Sequence, residues 1–319
     1  MLSSIYLSNK EYFDAIINED LAQRMSNSIK FTYGNFDHYY NPSDTATAAN
    51  SVHERLNMLP ADWFKGKKVL DIGCNDGTFT LAMTLNFTPE LVIGVDIDNK
   101  LISRAIKNIH KVTNDLLVKS VVDGISKNES EEVKKDDMQV ETTDERQQKI
   151  LSNIESLPRS LRLSLSLPSV TKALTTQNEV MGQNISSIKN FLYERLTFRT
   201  ENYVASLEPF ETYHTVVCFK TIKWVHMNFG DAGVKALFHK VYQSLEPEGL
   251  FIFDSVNWKS YKKRKGMNKD LKKNFEAIEF KPGEFDTYLK TKVGFVFKEA
   301  LKPEDETKRP LLVYQRPAE

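Results

Sequence analysis

The chain has 319 residues, 40% of them apolar, and its 43 Lys and Arg balance 43 Asp and Glu to a net charge of zero. That length suits one large domain or two small ones, and the balance excludes a protein that holds nucleic acid through overall positive charge. Two cysteines, Cys74 and Cys218, exclude a disulfide framework and argue against a zinc site, and no run approaches the roughly 20 apolar residues of a membrane span, so the expectation is a soluble protein of a reducing compartment with no metal.

Residues 1–50 are polar and aromatic, and Met1 to Lys10 hold no apolar core of signal-peptide length. Aromatics crowd a Gly-Asn turn pair in Phe31-Thr-Tyr33-Gly34-Asn35-Phe36-Asp-His38-Tyr39-Tyr40, which reads either as an arm packed on the domain or as a lid over a ligand. Residues 51–64 are predicted to be helical, with Leu56, Leu59 and Phe64 on one face. A buried strand follows from Lys68 to Gly73, then a helix over 78–86, a strand from Leu91 to Asp98 and a helix over 99–111. Such alternation implies a parallel α/β sheet. The rhythm breaks over 112–190, which reads as an insertion. Within it, Ser126 to Arg146 is rich in charge and poor in apolar residues and is expected to be disordered, and Leu157 to Pro168 reads as a strand or a short plug. Strands resume at Leu196–Arg199 and Tyr213–Phe219, then a helix over 231–245, a strand from Leu250 to Asp254, the basic run Lys259 to Lys265, and two closing strands at Val293–Lys298 and Leu311–Gln315 that suit an antiparallel edge hairpin.

The chemistry concentrates in Asp71-Ile-Gly73-Cys74-Asn75-Asp76-Gly77, a loop between a strand and a helix. Gly73 and Gly77 permit a tight turn and close backbone approach to a ligand. About 25 residues on, Asp96 closes the next strand, where a carboxylate can accept hydrogen bonds from two ribose hydroxyls. Glycine loop, strand–helix setting and acid together point to a nucleoside cofactor. A dinucleotide needs a third glycine where Asn75 stands. The loop instead resembles that of S-adenosylmethionine-dependent methyltransferases, which implies a Rossmann-like class I fold, a mostly parallel seven-stranded sheet with an antiparallel edge strand.

Further blocks narrow the resemblance. Tyr33-Gly34-Asn35 with Tyr39-Tyr40, Asp71 to Asn75, Val95 to Asp98, Asn202-Tyr203-Val204, Lys223-Trp224-Val225-His226-Met227-Asn228, Trp258-Lys-Ser-Tyr261 and Arg309-Pro310 with Tyr314 resemble, in order over about 31–316, the bicoid-interacting-protein-3 family of RNA methyltransferases, the 7SK snRNA methylphosphate capping enzyme type. The Lys-Trp-Val-His-Met-Asn block is the most specific. The resemblance implies methyl transfer from S-adenosylmethionine to a 5′-terminal phosphate oxygen, the γ-phosphate in the capping enzymes, of a small non-coding RNA in the nucleus, with RNP proteins as further partners. It implies a cofactor shell of Tyr40, Arg55, Asp71, Gly73, Cys74, Asn75, Gly77, Asp96, Ile97, Asn202, Tyr203 and Phe219, with Arg55 paired to the cofactor carboxylate. Tyr39, Lys223, His226 and Trp258 would stand at the reacting phosphate. The implied organisation is an arm at 1–50 over the site and a methyltransferase domain at 51–319, with the insertion at 112–190 inside it.

The departures from that family fall on the substrate side. His38 and Asn41-Pro42 flank the Tyr-Tyr pair where relatives carry basic residues, Lys220-Thr221-Ile222 replaces Ser-Leu-Thr, and Asp254-Ser-Val-Asn257 lacks the family's prolines. They leave open a second reading, an RNA-binding chaperone or RNP subunit that keeps the fold and methylates weakly or not at all, and a third, a methyltransferase for a small molecule or a protein.

Overall fold

Apolar runs too continuous for a half-exposed strand form the centre of the sheet. The computed structural model describes residues 33–34, 52, 55–113, 185–206, 211–303 and 309–318. Tyr39 and Tyr40, the segments 126–146 and 157–168, and most of the expected arm and insertion lie outside these. Strand β1 (Lys68–Ile72) is buried from Val69 onward, and β2 (Leu91–Asp96) from Val92 to Val95. Burial of successive residues means that both faces are covered, as in a parallel sheet wrapped by helices. Helix α1 (Thr78–Phe87) joins them, and a helical run at 99–113 (α2) follows β2.

Then come α3 (Ile185–Arg195), β3 (Leu196–Thr200), β4 (Tyr213–Cys218), α4 (Ile222–Ser244) and β5 (Leu245–Asp254). After β5 lie α5 (Trp258–Lys262), α6 (Lys269–Ala277), the short helix α7 (Phe285–Tyr288), β6 (Val296–Leu301) and β7 (Leu311–Gln315). The seven strands lie in the order β3-β2-β1-β4-β5-β7-β6. The pairs among β1 to β5 are parallel, and β7 runs antiparallel to both β5 and β6. This is the expected fold, the Rossmann-like sheet of class I methyltransferases with an antiparallel edge.

One apolar cluster under α1, α2 and α3 fills one face of the sheet, with Phe64, Met83 and Leu192 fully enclosed. A second, around Phe238, Phe251 and Phe253, fills the other. Strand β1 neighbours both β2 and β4, so the chain leaves it in opposite directions. Such a switch point opens a crevice at the C-terminal ends of the strands.

Some elements differ from the sequence expectation. Helix α4 starts at Ile222 rather than 231 and is broken at Gly230, whose φ of 64° and ψ of −166° interrupt the helical path. Its first half was not predicted, because Trp224, His226 and Asn228 are all buried and no polar face marks it. Strand β6 starts at Val296, since Leu289–Val293 winds as a wide turn ending on Gly294 at φ 106°.

Candidate functional site

The loop after β1 turns back on itself through hydrogen bonds to β2. Val95 accepts from the N–H groups of both Gly73 and Cys74, at 2.8 and 3.0 Å. Gly73 has φ 79°, and a Cβ there would run into the Thr221 side chain. Asn75 also adopts a left-handed conformation, φ 54°, which its side chain supports by accepting from the Asp76 N–H at 2.8 Å. The Asp96 carboxylate faces this loop and accepts from the N–H of Asn75 and of Asp98, both at 3.0 Å. Burial raises its pKa to about 6 against the pull of those donors, so it is an anion at neutral pH.

Around that loop and acid is a cleft of about 790 Å³. Its floor is Gly73, Asn75, Asp96 and Ile97, one side is the 201–206 segment after β3, and the other is Phe219, Lys220 and Thr221 after β4. The first half of α4 contributes Trp224, Val225 and Asn228. Tyr33 and Gly34 close over it. Gly34 lies so near the Trp224 indole that any Cβ would collide with it. The Asn202 Nδ2 on this wall is buried and donates to no protein atom among the described residues. Lys240 of α4 holds the 201–206 segment by donating to the carbonyls of Tyr203 and Ser206, at 2.6 and 2.8 Å. The Tyr203 hydroxyl is turned away to Ser244, at 2.8 Å, so its ring is a wall and its oxygen does not serve the cleft.

A second, smaller cleft of about 320 Å³ backs onto the first, and Lys220 and Thr221 line both. It also holds Lys223, Asp254, Val256 and Arg309. Burial and the neighbouring Arg309 and Arg264 push the Lys223 pKa down to about 8. Its ammonium lies 4.7 Å from the Trp224 ring. Asp254 ends β5 here. One carboxylate oxygen accepts from Arg55 Nη2 at 2.9 Å and the other from the Lys220 N–H. Lys220 is itself left-handed, φ 55°.

Of the residues singled out in the sequence, Gly73, Asn75, Asp96, Ile97, Asn202, Tyr203 and Phe219 meet on the larger cleft and Lys223 on the smaller one. Others support the walls from behind. Asp71 is buried beneath the loop and accepts from the Thr80 hydroxyl at 2.7 Å, and burial raises its pKa to about 7. Cys74 belongs to the apolar cluster under the sheet. Gly77, φ 74°, starts α1 where a Cβ would strike Phe198. Arg55, expected on a cofactor carboxylate, pairs with Asp254 and lies 5.5 Å from the centre of the Phe219 ring.

His226 and Trp258, expected beside the reacting phosphate, line neither of these two clefts. His226 is fully buried, with Nε2 2.8 Å from Asp231 and Nδ1 3.1 Å from the Tyr261 hydroxyl. Burial lowers its pKa, and the neutral ring satisfies both partners by donating from Nε2 and accepting at Nδ1. It fastens the broken helix α4 to α5. Trp258 stacks on Phe275 of α6 at 4.7 Å. Lys220, Thr221 and Asp254 are site residues that pattern reading did not select. The one signal for them was that two of the departures from the family pattern begin at Lys220 and at Asp254.

Residues 213–316 match the family model described as Bicoid-interacting protein 3. The chain is 32% identical over 299 residues to the 7SK snRNA methylphosphate capping enzyme of Homo sapiens, an alignment covering 90% of this chain and 39% of that one. It is 28% identical to the probable RNA methyltransferase At5g51130 of Arabidopsis thaliana, covering 85% and 75%, and 25% identical to the U6 snRNA methylphosphate capping enzyme Amus of Drosophila melanogaster, covering 84% and 67%. The chain thus spans about 40% of the length of the 7SK relatives it matches. A solved structure, the N-methyltransferase NodS of Bradyrhizobium japonicum with S-adenosyl-l-homocysteine, overlaps 90% of this chain and 100% of its own at 10% identity and a TM-score of 0.45, and here the strand order, not that overlap, carries the fold.

Proposed function

From a chain that is a relative of the small-RNA methylphosphate capping enzymes and carries a Bicoid-interacting protein 3 segment at 213–316, we propose an S-adenosylmethionine-dependent RNA methyltransferase that caps the 5′-terminal phosphate of a small non-coding RNA. The observation that carries this reading is the pair of clefts sharing one wall: one with a carboxylate and the glycine loop, and one behind Lys220 and Thr221 lined by Lys223 and Arg309.

The residues fit the cofactor. Asp96 has lone pairs left for ribose hydroxyls, Asn202 Nδ2 is a buried donor in want of an acceptor such as an adenine nitrogen, and Gly73 brings bare backbone to the cleft floor for the amino-acid end. S-adenosylmethionine supplies a methyl group on a sulfonium, which a nucleophilic oxygen can take.

In the smaller cleft Lys223 and Arg309 bind and orient the terminal phosphate. A terminal phosphate carries its second charge above a pKa of about 6, so its oxygen attacks without a general base. The O–CH₃ bond forms as the S–CH₃ bond breaks, and no proton has to move. The work of the protein is alignment and exclusion of water. Trp224, with Gly34 against it and Tyr33 on the same lining, screens the larger cleft. Tyr39 and Tyr40, outside the described residues, are assigned to this site by the family resemblance alone. The intact loop argues against the inactive-chaperone reading, and the cationic cleft against a neutral small-molecule acceptor. The snRNA substrates that the relatives' names state and the basic run Lys259 to Lys265 support a nuclear reading, and RNP proteins are proposed as further partners on the family resemblance alone.

The test is transfer of labelled methyl groups to one stem-loop RNA bearing a 5′-triphosphate, a 5′-monophosphate or a 5′-hydroxyl. Label on a phosphorylated end and none on the hydroxyl form is the expected result. Cofactor binding without label on any RNA would sink the reading in favour of the chaperone.

A further inference from the structure

Past β3 the chain leaves the sheet, and the wall it then builds for the larger cleft has few backbone ties of its own. The Glu201 N–H donates to the Asp96 carbonyl at 2.9 Å. Beyond it, the backbone bonds of 202–206 among the described residues are local, from the Ala205 and Ser206 N–H groups to the Asn202 carbonyl.

What fixes this segment comes from α4. Lys240 stands ten residues past the break at Gly230, about 15 Å along the helix. Its ammonium donates to the Tyr203 carbonyl at 2.6 Å and to the Ser206 carbonyl at 2.8 Å. It also lies 4.0 Å from Glu201 Oε1 and 4.3 Å from the centre of the Tyr203 ring. All four contacts are to one short segment. Ser244, four residues on and so on the same face of the helix, donates to the Lys240 carbonyl at 2.8 Å. That leaves the serine oxygen to accept from the Tyr203 hydroxyl, also at 2.8 Å.

The Lys240 side chain is only 12% exposed. Desolvating an ammonium is costly, and where a side chain serves packing alone an apolar one is the better choice. The contribution of this lysine therefore lies in what it holds. The held segment carries Asn202, which lines the larger cleft and whose buried Nδ2 donates to no protein atom among the described residues.

We propose that Lys240, which lines neither cleft, is a positioning residue for the cofactor: it holds the 201–206 wall where the Asn202 amide reaches an acceptor on the purine, and so sets the affinity for the nucleoside end. This rests on the cofactor reading of the larger cleft and is independent of which acceptor takes the methyl group. A donor already held in place loses little freedom when the ligand arrives. Once the wall is released, part of the binding energy goes into ordering it.

The experiment is a double-mutant cycle on the whole chain, with Lys240→Met, Asn202→Ala and the two together. Methionine keeps the length of the side chain and removes its charge and donors. Calorimetry reads the Kd of two ligands, S-adenosylhomocysteine and 5′-methylthioadenosine, the second of which lacks the amino-acid end. Each single change should raise both Kd values about tenfold. The double variant should be no worse than Lys240→Met alone, since the two residues act through one contact. A loss of about a hundredfold in the double variant, the product of the singles, would make the lysine a support with no share in the Asn202 contact and would overturn the proposal. So would an unchanged Kd in Lys240→Met with only the melting temperature lowered, or a loss confined to S-adenosylhomocysteine, which would place the effect at the amino-acid end. If Lys240→Met does not fold, Lys240→Arg, which keeps the charge in a different geometry, carries the same cycle, with a smaller loss and the same absence of a further effect from Asn202→Ala. A wild type that binds neither ligand overturns the cofactor reading and this proposal with it, whereas a wild type that binds both and shows multiplying losses overturns this proposal alone.

Discussion

Under the proposed capping reaction, Lys223 is the side chain whose charge has most bearing on the chemistry. Burial and the cations Arg309 and Arg264 bring its pKa down to about 8, with Asp254 the one acid on the same cleft. A lowered lysine pKa means that the charged form persists below about 8 and is lost above it. Phosphate affinity should follow, with a KM for RNA that is flat from pH 6.5 to 7.5 and climbs about tenfold per unit above 8. Lys223→Arg keeps its charge throughout and should remove that limb, which a pH profile of KM and kcat measures. A limb unchanged in the variant would assign it to another group. Gly73, Asn75 and Asp96, each with a motif behind it, were the positions whose place on the larger cleft could be read from sequence, because a sharp turn after a strand and an acid at the next strand's end are local signals. The place of His226 was not legible for the opposite reason. A histidine in a family block looks chemical, and only three-dimensional placement shows both its nitrogens engaged by Asp231 and Tyr261.

Among elements, α4 does two jobs that its break separates. Residues before Gly230 face the clefts, and residues after it, such as Val234, Leu237 and Phe238, pack on the sheet. Gly230 has φ 64° and ψ −166°, a region essentially confined to glycine, and nothing lies within 4 Å of where a Cβ would sit. Gly230→Ala should therefore cost backbone strain alone, about 1–3 kcal/mol of stability by denaturant titration, without a steric clash. A neutral result would mean that the break relaxes easily. The strands and α1 were legible because alternation and buried runs are local signals. The first half of α4 and the pair α5–α6 were not, since the former has no polar face and the latter are short helices whose lysines dominate the composition.

For the molecule as a whole, the sheet order follows from the βα alternation, while the meeting of its distant parts does not. Arg55, Lys220 and Asp254 lie 199 residues apart at the extremes, yet they converge because β4 and β5 end side by side. A ligand that bridges the β1, β2 and β4 ends must stabilise the folded state. S-adenosylhomocysteine at 100 times its Kd should add about 2.7 kcal/mol, a rise in melting temperature of a few degrees for a chain of this size. Asp96→Ala should abolish the rise. A rise that survives in that variant would move the nucleoside to another place.

Lys220 and Thr221 form a partition between the two clefts, and under the proposed function a ligand would lie on each side. Any torsion that a nucleoside imposed on that left-handed lysine would be felt by a phosphate behind it, and the reverse. Cofactor and RNA affinities would then not be independent constants: each ligand would change the other's dissociation constant by one common factor.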